Sequence, residues 1–231
     1  MQFPLFLYLN NMLKQGEVLE NLYGDYSIIQ NVDLYRFTSD SVLLSKFVKG
    51  KKGDAVADFC AGSGIVGYHF ACLNTHINSL TLFEMQENLA DMARRTAELN
   101  KFNAKVVCGR VQDIGAEYNG AFSLILCNPP YERGGFENEI YEKAICRKEI
   151  TITLKEIISV AAKKLKFGGR LAIVNRADRV AELIYLLKTN KLEPKKMQFV
   201  CGREGAAPYL VLMEAVYGGK EGITVLPNTV N

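Results

Sequence analysis

Asn128-Pro129-Pro130-Tyr131 stands at the end of a short apolar run, Phe122–Cys127. An amide, a proline carbonyl and an aromatic ring placed in a row suit a flat group with an amino edge. Asn128 Oδ1 and the Pro129 carbonyl can both accept hydrogen bonds from one NH2, while Tyr131 offers a stacking face. The apolar run predicts a strand buried on both faces. Proline cannot donate to a sheet ladder, so Pro129 and Pro130 stop that strand at Asn128. In an open parallel α/β sheet the carboxyl ends of the strands are where ligands sit. An Asn-Pro turn beside a core tyrosine fits the same four residues.

A second group of residues lies upstream. Asp58-Phe-Cys-Ala-Gly62-Ser-Gly64-Ile-Val-Gly67 reads as the turn from a strand into a helix. Its glycines allow a ligand close to the backbone, and a helix start presents N–H groups. Gly-x-Gly-x-x-Gly alone also fits a dinucleotide-binding protein. Asp58, four residues before Gly62, favours a cationic or amine-bearing ligand over a pyrophosphate, and no P-loop lysine follows. Glu84 closes the next apolar run, where a carboxylate can accept both ribose hydroxyls of a nucleoside. Asp113 follows the third strand and can accept an adenine amino group, although an Asp capping a turn explains it as well. Asp58, Gly62, Gly64, Glu84 and Asp113 together look like a site for S-adenosylmethionine (SAM), which Asn128 would border.

These residues need a frame to position them. The pattern predicts strands Ala55–Phe59, Ser79–Phe83, Ala104–Cys108, Phe122–Cys127, Arg170–Val174, Met197–Cys201 and Tyr209–Tyr217. The expected helices are Ile65–Leu73, Gln86–Asn100, Thr153–Leu165 and Asp178–Leu187. Leu89, Met92, Ala93, Ala97 and Leu99 form the expected inner face of the long second helix. The short link between the last two strands implies antiparallel pairing, and one short strand, Ile223–Leu226, is expected in the tail. Such βα alternation predicts an α/β, doubly wound, seven-stranded and mostly parallel sheet with a terminal antiparallel β-hairpin. That is the Rossmann-like arrangement of class I methyltransferases. Residues 1–50 are expected to be an N-terminal extension packed on a core domain of residues 51–231. The extension would hold a hairpin, Tyr23–Gln30 with Asp33–Phe37 turning at Asn31, then a helix Val42–Val48 capped by Ser39-Asp40-Ser41.

Composition narrows the partners. At 231 residues the chain is long enough for a substantial core, and 28 Lys and Arg against 25 Asp and Glu permit contact with nucleic acid without demanding it. Six cysteines without a CxxC pair, and only two histidines, argue against a metal and fit a reducing cytosol. Phe3–Leu9 is apolar but lacks a basic leader and is too short to span a bilayer, so a cytoplasmic protein without a membrane segment is expected. A monomer is expected, with a weak homodimer as the alternative. Arg133, Arg147, Lys148, Arg176, Arg179 and Arg203 lie where RNA phosphates could run, and Lys163, Lys164 and Lys166 read as solvated charges near a helix end.

A SAM loop followed by Asn128-Pro129-Pro130-Tyr131 resembles the amino-group methyltransferases, which modify adenine N6, guanine N2 or glutamine amide nitrogen. From Leu19 on, the chain is similar to one branch of these, the tRNA1(Val) adenine-37-N6-methyltransferases. Ile28-Ile29-Gln30, Phe37-Thr-Ser-Asp40-Ser-Val-Leu43-Leu44, Arg147-Lys148-Glu149, Ala206–Glu214 and Gly218-Gly219-Lys220-Glu-Gly222 carry that likeness. Cys60 departs from it, standing where the loop often has Gly, and residues 1–13 match nothing in it. The resemblance implies that Asn128, Pro129, Pro130 and Tyr131 are catalytic and that the substrate is a tRNA anticodon-loop adenine, methylated at N6. Glutamine methylation in a protein, guanine-N2 methylation of rRNA and a non-catalytic SAM- or RNA-binding role are the alternatives. The glutamine enzymes carry a sizeable helical domain before the loop, for which some fifty partly strand-like residues leave little room. A nicotinamide-dependent oxidoreductase would need an acid or base for hydride transfer, and no candidate is seen.

Overall fold

The computed structural model describes residues 12–32, 39–130 and 152–231. Tyr131, Arg133, Arg147, Lys148 and the expected strand Asp33–Phe37 lie outside them. The chain opens with a two-stranded antiparallel sheet, β1 (Glu17–Tyr23) and β2 (Tyr26–Asn31), followed by helix α1 (Ser39–Phe47). Alternation then begins: β3 (Ala55–Phe59), α2 (Ile65–Leu73), β4 (Ser79–Glu84), α3 (Glu87–Asn100), β5 (Ala104–Cys108) and β6 (Phe122–Cys127). It ends with α4 (Leu154–Lys164), β7 (Leu165–Arg176), α5 (Val180–Thr189), β8 (Leu192–Cys201) and β9 (Pro208–Tyr217). Two short strands, β10 (Thr224–Val225) and β11 (Thr229–Val230), both run parallel to β8.

The main sheet has the order β10-β8-β9-β7-β6-β3-β4-β5, with β11 also on β8. Strands β3 to β7 pair in parallel, and β9 inserts antiparallel between β7 and β8. The mostly parallel sheet and its terminal hairpin are as expected, but with nine strands rather than seven. β6 is buried at every position because it lies between two apolar layers. Leu124 and Leu126 face a core shared with α1, α2 and α3, while Ile125 and Cys127 face one shared with α4 and α5. In α3 the buried face is Leu89, Ala90, Met92, Ala93, Thr96 and Ala97; the expected Leu99 is only half-buried.

The N-terminal hairpin departs from its expected form. Its turn is Gly24-Asp25 rather than Asn31, because Gly24 takes a left-handed φ of 55° and Asn31 instead pairs with Glu17 at a strand end. α3 completes the free edge of β2 with side chains in place of another strand. Thr96 Oγ1 accepts from Ile29 N–H at 3.1 Å, and Asn100 both accepts from and donates to the Ser27 backbone. Arg95 grips Glu17 with two hydrogen bonds of 2.6 Å. Ser39-Asp40-Ser41 forms the first turn of α1 instead of preceding it. Lys164 is also no solvated charge. It is 5% exposed, and its ammonium donates to Gly115 O and Asn119 Oδ1.

Away from the strand carboxyl ends, a buried ion pair ties β6 and β7 to the residue just before β3. Arg170 of β7 donates to Asp54 Oδ2 at 2.8 Å and to Lys49 O, while Ser123 of β6 donates to Asp54 Oδ1. Removing one partner would leave the other charge buried and unpaired. Arg170→Ala should therefore destabilise the protein by about 3–5 kcal/mol in urea unfolding. A loss under about 1 kcal/mol would mean that the pair is worth no more than an exposed one.

Candidate active site

The carboxyl ends of β3, β4 and β6 lie side by side, with Phe59 level with both Phe83 and Cys127. The glycine loop, Asp58 and Glu84, and the Asn128-Pro129 segment are thereby brought to one edge of the sheet. The turn after β3 needs three left-handed residues: Cys60 (φ 57°), Gly62 (φ 57°) and Gly64 (φ 94°). Cys60 thus holds a conformation that glycine adopts freely and other residues adopt at a cost of roughly 1 kcal/mol. A methyl group on Gly64 would collide with the Tyr68 ring and Leu82, whereas Gly62 faces open space.

Two carboxylates hold this loop from below. Asp58, fully buried, accepts from Gly67 N–H through Oδ2 at 2.8 Å. Glu84, 5% exposed, accepts from Gly62 N–H through Oε2 and from Gln86 N–H through Oε1, both at 2.8 Å. Gly64 N–H is turned onto Ala61 O at 2.8 Å. The N–H groups of Gly62, Gly64 and Gly67 are therefore committed within the protein. A loop that spends them this way, over two acidic side chains, is a poor cradle for phosphate and suits a cationic ligand. The Glu84 carboxylate keeps lone-pair capacity for a further donor. Asp113 sits in a short 3-10 turn, Val111–Asp113, and is exposed.

Burial pushes the Asp58 carboxyl up to about 8, with the Glu84 carboxylate adding to the rise and the Gly67 N–H opposing it. Burial likewise raises Glu84, against the N–H groups of Gln86, Gly62 and Met85. Among the described residues, two buried side-chain polar atoms lack a hydrogen-bond partner: Asp58 Oδ1 and Asn175 Nδ2. Leaving such an atom unpaired costs about 1–3 kcal/mol, more if charged. At neutral pH this carboxyl keeps its proton in the free protein, and a ligand that brings an ammonium group beside it would favour its charged form.

Asn128 is half-buried, and its amide is held from outside the sheet. Nδ2 donates to Ser41 Oγ of α1 at 3.0 Å, leaving Oδ1 as the open acceptor beside the Pro129 carbonyl. The loop has a similar brace. Gln30 of β2, 1% exposed, donates through Nε2 to Ser63 Oγ, between Gly62 and Gly64. Neither residue type nor spacing marks Ser41, Gln30, Ser63 or Asn175 for a site role. Gln30 and Ser41 lie in segments that carry the family resemblance, which was the one available signal. Among the expected RNA-facing cations, Arg179 is buried and paired with Glu182, and Arg176 pairs with Asp178. Among the described residues no cluster of three His, Cys, Asp or Glu side chains is placed to hold a metal, and no helix is long and apolar enough to cross a membrane.

The Asp58 shift fixes a pH dependence. Its folded-state value lies above the 3.8 of an exposed aspartate, so its contribution to stability is fully present below about 4 and lost as pH rises toward about 8. Glu84 acts in the same direction. The thermal midpoint of the ligand-free protein should fall across that window, and less steeply in Asp58→Asn, which has no proton to lose. Equal slopes in the two proteins would assign the titration to other groups.

The chain is 24% identical over 160 residues to a tRNA1(Val) (adenine(37)-N6)-methyltransferase of Shewanella sp. (strain W3-18-1), covering 68% of this chain and 66% of that one. A protein of the same name from Porphyromonas gingivalis is 24% identical over 198 residues, covering 82% and 77%. Among solved structures, a predicted O-methyltransferase from Agrobacterium tumefaciens superposes with a TM-score of 0.67 at 21% identity, covering 83% of this chain and 86% of that one. P. horikoshii TYW2, solved in complex with MeSAdo, superposes at 0.61 with 13% identity, covering 89% and 73%. The model of the methyltransferase small domain matches residues 38–193, and the chain belongs to that family.

Proposed function

We propose that this protein is a SAM-dependent methyltransferase that modifies the N6 amino group of an adenine in a tRNA anticodon loop. The observation that carries the reading is the Asn128 amide. With Nδ2 held by Ser41, its Oδ1 is left open beside the Pro129 carbonyl, one strand away from the glycine loop. The named relatives support the choice of tRNA and of adenine.

The buried Asp58 oxygen, the open space at Gly62 and the spare lone pairs of Glu84 fit SAM. Asp58 and the loop would hold its charged end, Glu84 its ribose hydroxyls and Asp113 its adenine. When bound, SAM supplies an electrophilic methyl group. The chain's own residues do the rest. An adenine amine is a poor nucleophile because its lone pair is delocalised into the ring. Asn128 Oδ1 and the Pro129 carbonyl accept its two hydrogens and favour a pyramidal nitrogen with the lone pair free. Tyr131 stacks on the extruded base, worth roughly 1–3 kcal/mol. Pro130 fixes the backbone between them. Extrusion from an unpaired loop costs little, and a close, aligned approach accounts for much of the rate. These acceptors also stabilise the positive charge that develops on nitrogen, which one of the two hydrogens discharges by leaving as a proton to solvent.

Transfer of label from SAM to total tRNA of a strain lacking this gene, followed by nucleoside analysis, tests the reading. N6-methyladenosine in one tRNA is expected; label in rRNA or in a protein glutamine would overturn the substrate. Asn128→Ala should abolish transfer and leave SAM affinity within about threefold, whereas Gly64→Ala should lose SAM binding. Ser41→Ala should lower kcat roughly tenfold, the scale of one lost hydrogen bond, with Ser41→Thr closer to wild type. Equal loss of SAM affinity in Asn128→Ala and Gly64→Ala would merge the two roles. Tyr131→Ala should impair use of tRNA far more than Tyr131→Phe. Equal damage would assign the function to the hydroxyl rather than the ring.

A further inference from the structure

Cys60 opens the glycine loop and Cys127 directly precedes Asn128, and both are free thiols. Successive side chains of an extended strand point to opposite faces, so Phe59 and Cys60 would part if the strand simply ran on. They do not. Phe59 and Cys127 lie in the core shared with α4 and α5, and Cys60 packs against that same core. The left-handed φ of 57° at Cys60 breaks the alternation and returns its side chain to the face of Phe59. Glycine would make this turn without strain, whereas cysteine makes it at a cost of roughly 1 kcal/mol. What the cysteine adds is a second thiol beside Cys127.

The register gives the spacing. Phe59 is level with Cys127 on neighbouring parallel strands. The φ of Cys60 turns its side chain and the chain beyond it but leaves its Cα one step past Phe59. Strands lie about 4.8 Å apart and rise about 3.3 Å per residue, which sets the two cysteine Cα atoms roughly 6 Å apart. Disulfides span that separation. The side chains also meet. Burial holds the Cys127 thiol well above the ordinary thiol range, and a hydrogen bond with the Cys60 side chain adds to the rise. Cys127 is shut from water, whereas Cys60 is half-buried and open to a small reagent.

We propose that Cys60 and Cys127 form an oxidation site that takes a hydroperoxide, and that the disulfide it leaves closes the SAM site. The closing effect rests on the SAM reading above; the bond itself does not. With hydrogen peroxide, one oxygen passes to the Cys60 sulfur, giving a sulfenic acid and one water. The Cys127 sulfur then attacks the Cys60 sulfur, the S–O bond breaks, and the hydroxyl leaves with the Cys127 proton as a second water. The two thiols lose two electrons and two protons, and the peroxide is reduced to two waters. Drawing the sulfurs from contact into a bond pulls the start of the loop toward β6. Gly62 N–H, two residues on, is held by Glu84 of β4, on the opposite side of β3. The disulfide and the Glu84 carboxylate therefore pull the turn in opposite directions.

The test treats the full-length protein with hydrogen peroxide, alkylates the remaining thiols and maps the peptides by mass. A linked Cys60–Cys127 peptide, lighter by the two thiol hydrogens, is expected. SAM binding should weaken roughly tenfold or more, the scale of one lost hydrogen bond, and dithiothreitol should reverse both changes. Cys60→Gly and Cys127→Ala, each compared with its own untreated SAM affinity, should not respond to the same treatment. Both thiols still alkylated after peroxide, Cys60 joined to another cysteine, linked protein that binds SAM as before, or a variant that still loses SAM affinity would overturn the proposal. Mapping of the wild-type protein decides the bond even where a variant folds poorly. Reduced protein with no affinity for SAM sinks the functional reading and the closing effect with it, while the mapped peptides still decide the oxidation site.

Discussion

A carboxylate shut away from water has to find N–H groups, and at the carboxyl edge of this sheet two of them find the same loop. Asp58 takes the N–H of Gly67, and Glu84 takes that of Gly62. The left-handed turns at Cys60, Gly62 and Gly64 exist to deliver those N–H groups downward. With its donors directed inward onto two buried acids, the loop has few N–H groups left to offer a phosphate. The same bonds that build the turn therefore choose the sign of the ligand's charge. A dinucleotide-binding loop of similar sequence would have to point its N–H groups outward.

The residues ahead of the main sheet belong to the same arrangement. β2 reaches the loop through Gln30 and Ser63, while α1 reaches β6 through Ser41 and Asn128. Neither hydrogen bond adds much to global stability, since a typical one contributes about 1 kcal/mol. Their effect is orientation. An amide held at one end by a neighbour keeps its other end turned toward a ligand. The hairpin can act as a brace because α3 grips it tightly, through Arg95 on Glu17 and through Thr96 and Asn100 on the β2 backbone.

Much of the frame was legible in the chain, for a physical reason that also marks its limits. Strands Ala55–Phe59, Ala104–Cys108 and Phe122–Cys127 and helix Ile65–Leu73 have the bounds expected, because apolar runs ending at glycine or proline leave little choice. The hairpin was mis-set because Asn31 and Gly24-Asp25 both carry turn chemistry, and only the long-range grip of α3 selects between them. β8 runs from Leu192 rather than Met197 because its polar first half is held by the β9 ladder, a partner that local periodicity does not register. β11 is two residues long and has no pattern to read. Residue types singled out Asp58, Glu84 and Asn128, and the fold brings them to one end of the sheet. Contacts across 33 and 87 residues, Gln30 to Ser63 and Ser41 to Asn128, left no trace in spacing.

The two orphaned atoms show what residue types alone leave undetermined. An aspartate can be fully satisfied at a loop, and an asparagine can be paired at both ends; the sequence of either is silent on the matter. In this fold Asp58 keeps one oxygen unpaired and Asn175 one N–H, and both residues sit at the carboxyl ends of their strands. Each is unsatisfied at one end only, because a local backbone N–H, from Gly67 or Arg176, already occupies the other. Ordinary packing would relieve such a cost by a rotation or an apolar substitution. Where the local bond forbids rotation, the unsatisfied end has a fixed direction and waits for a group of opposite polarity.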